Sequence, residues 1–346
     1  MFSSIRKTTR QLSTVAATGL LVTAASMSMS TTANANSLYN CAVDSGCKKV
    51  ESESDWWRSS TKTKNPVVLV HGISGWSTIL GIEYFYGVGA ELMGNGTDYV
   101  FQPTVSGNNN HYVRGEQLLT QVNYAKAVSG KDKFNLIGHS QGAPTSRYVM
   151  GVAPDRVASL TTMGGVNWGS KVADDTVAIQ NGSNVGSAVI DAFYSVFSAL
   201  TAVVGFVSDA GPLAQDAEEA MVALSTESTL AFNQNFPVGI PSNYCGEGSS
   251  SWQGKKLYSM SGDAGLTNLL DPADIIVVVG RNSFAGNEPN DGLVASCSSH
   301  FGKVIRDNYA LNHMDETNLF LGLTKFGVNP KSIYRTHVNR LKNAGM

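Results

Sequence analysis

Apolar and polar positions follow one another along this chain in short, regularly spaced blocks. Pro66 to Val70 is a run of aliphatic, mostly β-branched residues ended by His71-Gly72, which predicts a short strand buried on both faces. Gly87 to Met93 predicts a helix closed by Gly94, and Tyr99 to Val105 a second strand. Arg114 to Val128 sets Leu118, Leu119, Val122 and Ala125 on one helical face ahead of Gly130. Phe134 to Ile137 predicts a third strand, Gln141 to Met150 a helix, and Val157 to Met163 one more strand. This alternation predicts an α/β fold, a mainly parallel sheet with helices on both faces.

Other segments break the rhythm. Residues 36–64 are polar and rich in Ser and Lys, with Trp56 and Trp57 as the only strong anchors, and read as an irregular N-terminal arm. Val185 to Val207 is apolar on nearly every face; as part of an exported chain it reads as a mobile helical lid over about 183–210, ahead of a buried helix or a membrane span. The last helix, Ser332 to Lys342, stacks Ile333, His337 and Leu341 at a spacing of four, which is ordinary packing. At the N-terminus a basic stretch with Arg6, Lys7 and Arg10 precedes an apolar stretch from Val15 to Ala25 and the small-residue site Ala33-Asn34-Ala35. That pattern reads as a signal peptide over 1–35, with the exported chain starting at Asn36 and its catalytic domain spanning 65–346.

The remaining composition adds three points. Within 346 residues, 42% are hydrophobic and 15% charged, enough for one large core. Removing residues 1–35 takes three positive charges and lowers the formal net charge from −2 to −5, so nothing attracts nucleic acid. The four cysteines all follow the cleavage site, which suits an oxidising compartment and two disulfides. Three pairings are open. Cys41 and Cys47 are spaced for a small local loop, which would leave Cys245 with Cys297 and a larger loop worth about 4 kcal/mol. No C-x-x-C spacing points to zinc or thiol redox chemistry.

The chemistry centres on Gly138-His139-Ser140-Gln141-Gly142, between a predicted strand and a predicted helix. The pentapeptide alone is weak, but strand, turn and helix are the context a nucleophile elbow requires, with Ser140 as nucleophile. Its hydroxyl needs a base, and the base needs an orienting acid. Of the histidines that follow it, His337 lies on a packed helix face and His300 in a Ser-rich loop beside Cys297. His313 lies in a loop ahead of a helix and is the candidate base; Asp291, in Asn290-Asp291-Gly292, is the candidate acid. The N–H groups of Ile73 and Gln141 are candidate oxyanion donors, which leaves His71 structural.

These residues sit in longer blocks. Val68 to Gly72, Tyr84 to Gly87, Arg114 to Leu119, Asn135 to Gly142, Cys245 to Gly248, Asn290 to Val294, Cys297 to His300 and Asn312 to Glu316 occur in an order that resembles the bacterial true lipases of the Pseudomonas and Burkholderia type. Those are foldase-dependent secreted triacylglycerol lipases. The resemblance implies an α/β-hydrolase fold and a Ser140, Asp291, His313 triad, with oxyanion donors at Ile73 and Gln141. It also implies a Cys245–Cys297 disulfide and one structural Ca²⁺ held by Asp271, Asp315 and the carbonyls of Leu319 and Leu323. Further expectations are a lipid substrate at an oil–water interface, a lipase-specific foldase, secretion and a monomeric state. A carboxylesterase for short soluble esters shares every catalytic residue and is the alternative.

Overall fold

The polar segment from residue 36 is not an irregular arm. Asn36–Ala42 forms strand β1 and Gly46–Glu53 strand β2, an antiparallel hairpin crossed by the Cys41–Cys47 disulfide. Strand β2 is exposed along most of its length, so it carries no alternation to read, and β1 pairs with residues some sixty positions away. Trp57 is 64% exposed, so it is not a buried anchor. This computed structural model describes residues 35–346 apart from 54–56, 80, 184–212, 285 and 287. The signal peptide expected over 1–35 and the lid expected over 183–210 lie, but for Ala35 and Ser183, outside the described residues, as does Trp56.

The chain continues through β3 (Val67–Val70), a small hairpin β4 (Thr78–Ile79) and β5 (Ile82–Glu83), α1 (Val88–Met93), β6 (Tyr99–Pro103) and α2 (His111–Ser129). Next come β7 (Phe134–His139), α3 (Gly142–Val152), β8 (Val157–Met163), α4 (Lys171–Gln180), α5 (Ala217–Leu224) and α6 (Thr226–Asn235). The last part is β9 (Ser251–Trp252), β10 (Lys255–Gly262), α7 (Asp274–Gly280), β11 (Lys303–Tyr309), α8 (Leu319–Gly322) and α9 (Pro330–Asn343). The main sheet runs β11-β10-β8-β7-β3-β6-β1-β2. Every neighbour from β11 to β1 is parallel, while β2 and the short β9 join antiparallel at β1 and β10.

Strand β3 explains the layering. Its side chains alternate between the faces of the sheet. Val67 and Leu69 join a core with Val88 and Leu92 of α1 and Tyr334 and Val338 of α9. Val68 and Val70 join another with Leu118 and Val122 of α2 and Val149 of α3. Covered twice, the strand is apolar throughout, each buried side chain contributing about 1.5–3 kcal/mol. Helix α2 starts three residues before the predicted Arg114 because Asn110 Oδ1 accepts the N–H groups of Tyr112 and Val113 at 3.0 Å. Since the sheet is parallel, the loops after β3, β7, β8, β10 and β11 gather at one edge, where ligands bind in such sheets.

Candidate active site

Ser140 stands where β7 turns into α3, with φ 55° in the left-handed region that side-chain-bearing residues seldom adopt. The turn is tight enough to exclude side chains beside it. A Cβ on Gly138 would come within 2.3 Å of the Gly142 carbonyl oxygen, and one on Gly142 within 2.2 Å of the Val70 carbonyl oxygen. The sequence therefore needs glycine at both positions to put Ser140 at the strand end. Among the described residues the Ser140 hydroxyl has no hydrogen-bond partner. Contacts to a catalytic base often tighten only around substrate.

The loops bring His313 and Asp291 together, with His313 Nδ1 2.8 Å from Asp291 Oδ2 and both residues buried. The Asp291 turn adds the N–H groups of Leu293 and Val294 as donors to Oδ1, at 2.9 and 2.7 Å. Behind the pair lies His139, its ring centroid 4.6 Å from that of His313. Its Nε2 donates to the His313 carbonyl at 3.0 Å, so Nδ1 accepts the Tyr84 hydroxyl hydrogen at 2.7 Å. Burial and the neighbouring His313 hold His139 well below the usual imidazole range, and it stays neutral.

Glu316 is a further buried acid at this site that the pattern of residues did not reveal. Its Oε1 accepts the Gly262 N–H at 2.6 Å, and its Oε2 lies 3.3 Å from His139 Nε2. A Cβ on Gly164 would meet both the Glu316 and the Asp291 carboxylate, at 2.0 and 3.2 Å. Burial first, then the charge of Asp291, push Glu316 well above the usual carboxylate range. Its signal in the sequence was only its place in the His313 block.

Arg114 braces the loop that leads to Ile73, one of the expected oxyanion donors. Fully buried, it donates to the carbonyls of His71 at 2.7 Å, Gly72 at 3.1 Å and Gly107 at 3.2 Å, and to that of Ser106. His71 Nδ1 adds a bond to the Gly72 carbonyl at 2.8 Å, while Nε2 accepts the Val105 N–H at 3.1 Å. The Gly72 carbonyl and the Ile73 N–H belong to one planar trans peptide, so fixing the first aims the second the opposite way. Among the described residues neither the Ile73 nor the Gln141 N–H has an acceptor. Burial lowers His71 to about 3 and Arg114 to about 9, which leaves a neutral structural imidazole and a charged guanidinium at neutral pH.

Ser140 opens on an apolar slot of about 40 Å³ lined by Ile73, Val166, Val172, Met221, Leu224 and Leu293, among others. The histidines set aside as bases lie elsewhere in hydrogen bonds of their own. His300 meets the Gly246 carbonyl and Asp307 at 2.9 and 3.1 Å, and His337 meets Thr161 Oγ1 at 2.7 Å under α9. The Cys245–Cys297 disulfide forms across 52 positions and ties down the stretch that follows Asp291.

A second acidic cluster lies beside the His313 loop. Carboxylate oxygens of Asp271, Asp274 and Asp315 come within 4.8 Å of one another, and all three residues are buried. Asp274 had no part in the ligand set expected from sequence. It accepts the N–H groups of Thr267 and Asn268 at 2.6 and 2.8 Å. Asp271 Oδ2 and Asp315 Oδ1 are buried without any hydrogen-bond partner. Burial and the neighbouring acids raise Asp271 to about 6 and Asp315 to about 7. Two bare oxygens and crowded like charges fit a hard cation. Leu319 opens α8 and Leu323 follows it; Asn268 Nδ2 donates to the Thr324 carbonyl at 3.3 Å, which lays this stretch against the acidic loop.

Comparison with known proteins gives three kinds of finding. Residues 65–183 match the family model described as the alpha/beta hydrolase fold. The chain is 46% identical over 287 residues to a triacylglycerol lipase of Vibrio cholerae, covering 83% of this chain and 90% of that one. It is 37% identical to a triacylglycerol lipase of Pseudomonas fragi, covering 83% and 99%. Among solved structures, lipase 1 from Pelosinus fermentans superposes with a TM-score of 0.53 at 16% identity, over 81% of this chain and 99% of that one, a likeness of fold alone.

Proposed function

Because this chain belongs to the triacylglycerol lipases of the α/β-hydrolase fold family, we propose that it hydrolyses acylglycerol esters in a lipid phase through an acyl-enzyme on Ser140. The observation that carries the reading is the buried Asp291–His313 pair behind a strained serine that opens on an apolar slot. Ser140 Oγ attacks the ester carbonyl carbon as His313 takes its proton. Asp291 holds the imidazole in the tautomer that accepts at Nε2 and stabilises the imidazolium. The Ile73 and Gln141 N–H groups take the oxyanion, and His313 returns the proton to the departing glyceride oxygen. Water, deprotonated by the same histidine, then releases the fatty acid.

Asp271, Asp274 and Asp315, with the main-chain oxygens of Leu319 and Leu323, would hold a calcium ion. Such an ion supplies positive charge that fixes the Asn312–Glu316 loop and takes no part in the reaction. Export on the 1–35 signal peptide, foldase-assisted folding and a monomeric state complete the proposal. They rest on the sequence pattern and on the family. Among the described residues, no helix is long and apolar enough to cross a membrane.

The test is an activity series from dissolved tributyrin to emulsified triolein. Turnover of emulsified triolein is expected. Turnover confined to short esters below their solubility limit would replace the lipase reading with a carboxylesterase.

A further inference from the structure

Strand β10 ends at the same sheet edge as Ser140, and the chain beyond it turns apolar side chains into water. Leu266, Leu269 and Leu270 are 58%, 85% and 79% exposed. In α7, Ile276 is buried in the apolar cluster that also holds Val166, Met221 and Leu224 of the slot over Ser140. Ile275 and Val278, three residues apart on its outer face, are exposed. A helix that is apolar all round calls for apolar neighbours all round. This one has them on its inner face alone among the described residues.

Nearby, Leu321 is exposed at φ 62° and Phe326 is fully exposed. The Asn268–Thr324 bond joins that turn to the leucine loop. Seven of the fourteen large apolar side chains exposed among the described residues thus fall between Leu266 and Phe326, less than a quarter of that chain. The concentration marks an interaction surface. The only charges from Ala264 to Gly280 are Asp271 and Asp274, both buried.

We propose that this surface, the Leu266–Leu270 loop with the outer face of α7 and the Leu321–Phe326 turn, is where the enzyme lies on the lipid phase. The proposal rests on the lipase reading above. Two features favour a fluid hydrocarbon over a protein. The leucine loop and α7 offer no exposed charge with which a protein partner would fix its register, whereas hydrocarbon requires none. The patch also shares its edge with the nucleophile and the slot, so seating it on lipid sets the mouth against the layer that holds the ester. The leucines are presented on a fixed frame, since Asp274 clamps the N–H groups of Thr267 and Asn268. Lys325, exposed between Leu321 and Phe326, suits the rim, where its stem lies on hydrocarbon and its amine in water.

The test replaces Leu269, Leu270 and Ile275 together by serine and reads adsorption to triolein emulsion in a Ser140→Ala background, so that binding is measured without turnover. Adsorption is expected to weaken at least tenfold. With Ser140 restored, hydrolysis of dissolved p-nitrophenyl butyrate is expected to stay within twofold, which certifies the fold. If the triple variant loses that activity, Phe326→Ser alone repeats the measurement with an expected threefold loss of adsorption. Adsorption unchanged by either set overturns the proposal, as does a wild-type dimer in sedimentation that the substitutions dissociate. Adsorption that depends on the patch, without hydrolysis of emulsified triolein by wild-type protein, overturns the lipase reading and leaves the surface assignment standing.

Discussion

The Asn312–Glu316 loop separates two clusters of buried carboxylates that differ in the partners the chain gives them. On one side Asp291 accepts two backbone N–H groups and His313, while Glu316 beside it accepts the Gly262 N–H at Oε1, keeps Oε2 without a hydrogen-bond partner and is pushed by burial well above the usual carboxylate range. On the other, Asp271 and Asp315 each keep a buried oxygen with no donor. A buried carboxylate must find partners or take a proton. The first cluster therefore draws its partners from the chain at all but one oxygen, whereas the second leaves two bare oxygens among crowded like charges, a set that suits a cation. Asn312 touches both, its amide donating to Asp274 at 2.5 Å and its carbonyl oxygen accepting the Glu316 N–H at 3.1 Å. His313 is thus oriented by one cluster and its loop is fastened to the other.

The largest effect separates chemistry from fastening. Ser140→Ala is expected to lower ester hydrolysis by about 10⁶-fold, to background, because the nucleophile and its base act as a unit. Its melting temperature should match that of the wild type both with calcium and with chelator. Turnover above background by the purified variant would remove Ser140 from the reaction.

Next in size is the cation. In excess chelator at pH 8, two unpartnered carboxylates at about 1–3 kcal/mol each should lower the melting temperature by roughly 5–10 °C, with activity falling alongside. The pH dependence has a definite sign. Without a cation the folded-state values of Asp271 and Asp315, about 6 and about 7, lie above the unfolded ones, so these groups favour folding at low pH. That contribution is lost as pH rises through 6 to 7, and the gap between calcium-loaded and chelated melting curves should widen over the same range. Asp315→Asn should melt above chelated wild type at pH 8 and gain little from calcium. A melting curve that ignores chelator would sink the metal site.

What could be read from the chain follows the same division. The elbow was legible because its strand, glycines and helix are contiguous, and the Asp291–His313 pair because each member lies in its own recognisable turn. The hairpin β1–β2 was not, since a polar edge strand and a buried strand paired with distant β6 leave no local period. Asp274 reads in sequence as a helix N-terminal acid after Pro272, and only closure of the 266–274 loop carries it to Asp271 and Asp315. Glu316 lies three residues from His313, and its burial beside Asp291 depends on Gly164, just past the end of β8, having no side chain. Spacing conveys which residues share an element; it does not convey which carboxylates meet.

The smallest effect probes how the Asp291–His313 cluster responds when one donor behind it is removed. Tyr84→Phe keeps the ring against Trp76 and Phe85, at 5.7 and 5.3 Å between centroids, and deletes only the hydroxyl 2.7 Å from His139 Nδ1. The buried nitrogen then lacks a donor, at a cost of about 1–3 kcal/mol, unless the imidazole moves its proton to Nδ1. In that tautomer Nε2 no longer donates to the His313 carbonyl, and the base loop loses one of its fixings. The expectation is a fall in kcat of roughly tenfold, about 1.4 kcal/mol, with KM unchanged, because the slot is untouched. Since His313 and Asp315 share one loop, the loss should be larger in chelator than in calcium, and kinetics in both conditions measures the coupling. An equal loss in the two would mean that the clusters act independently.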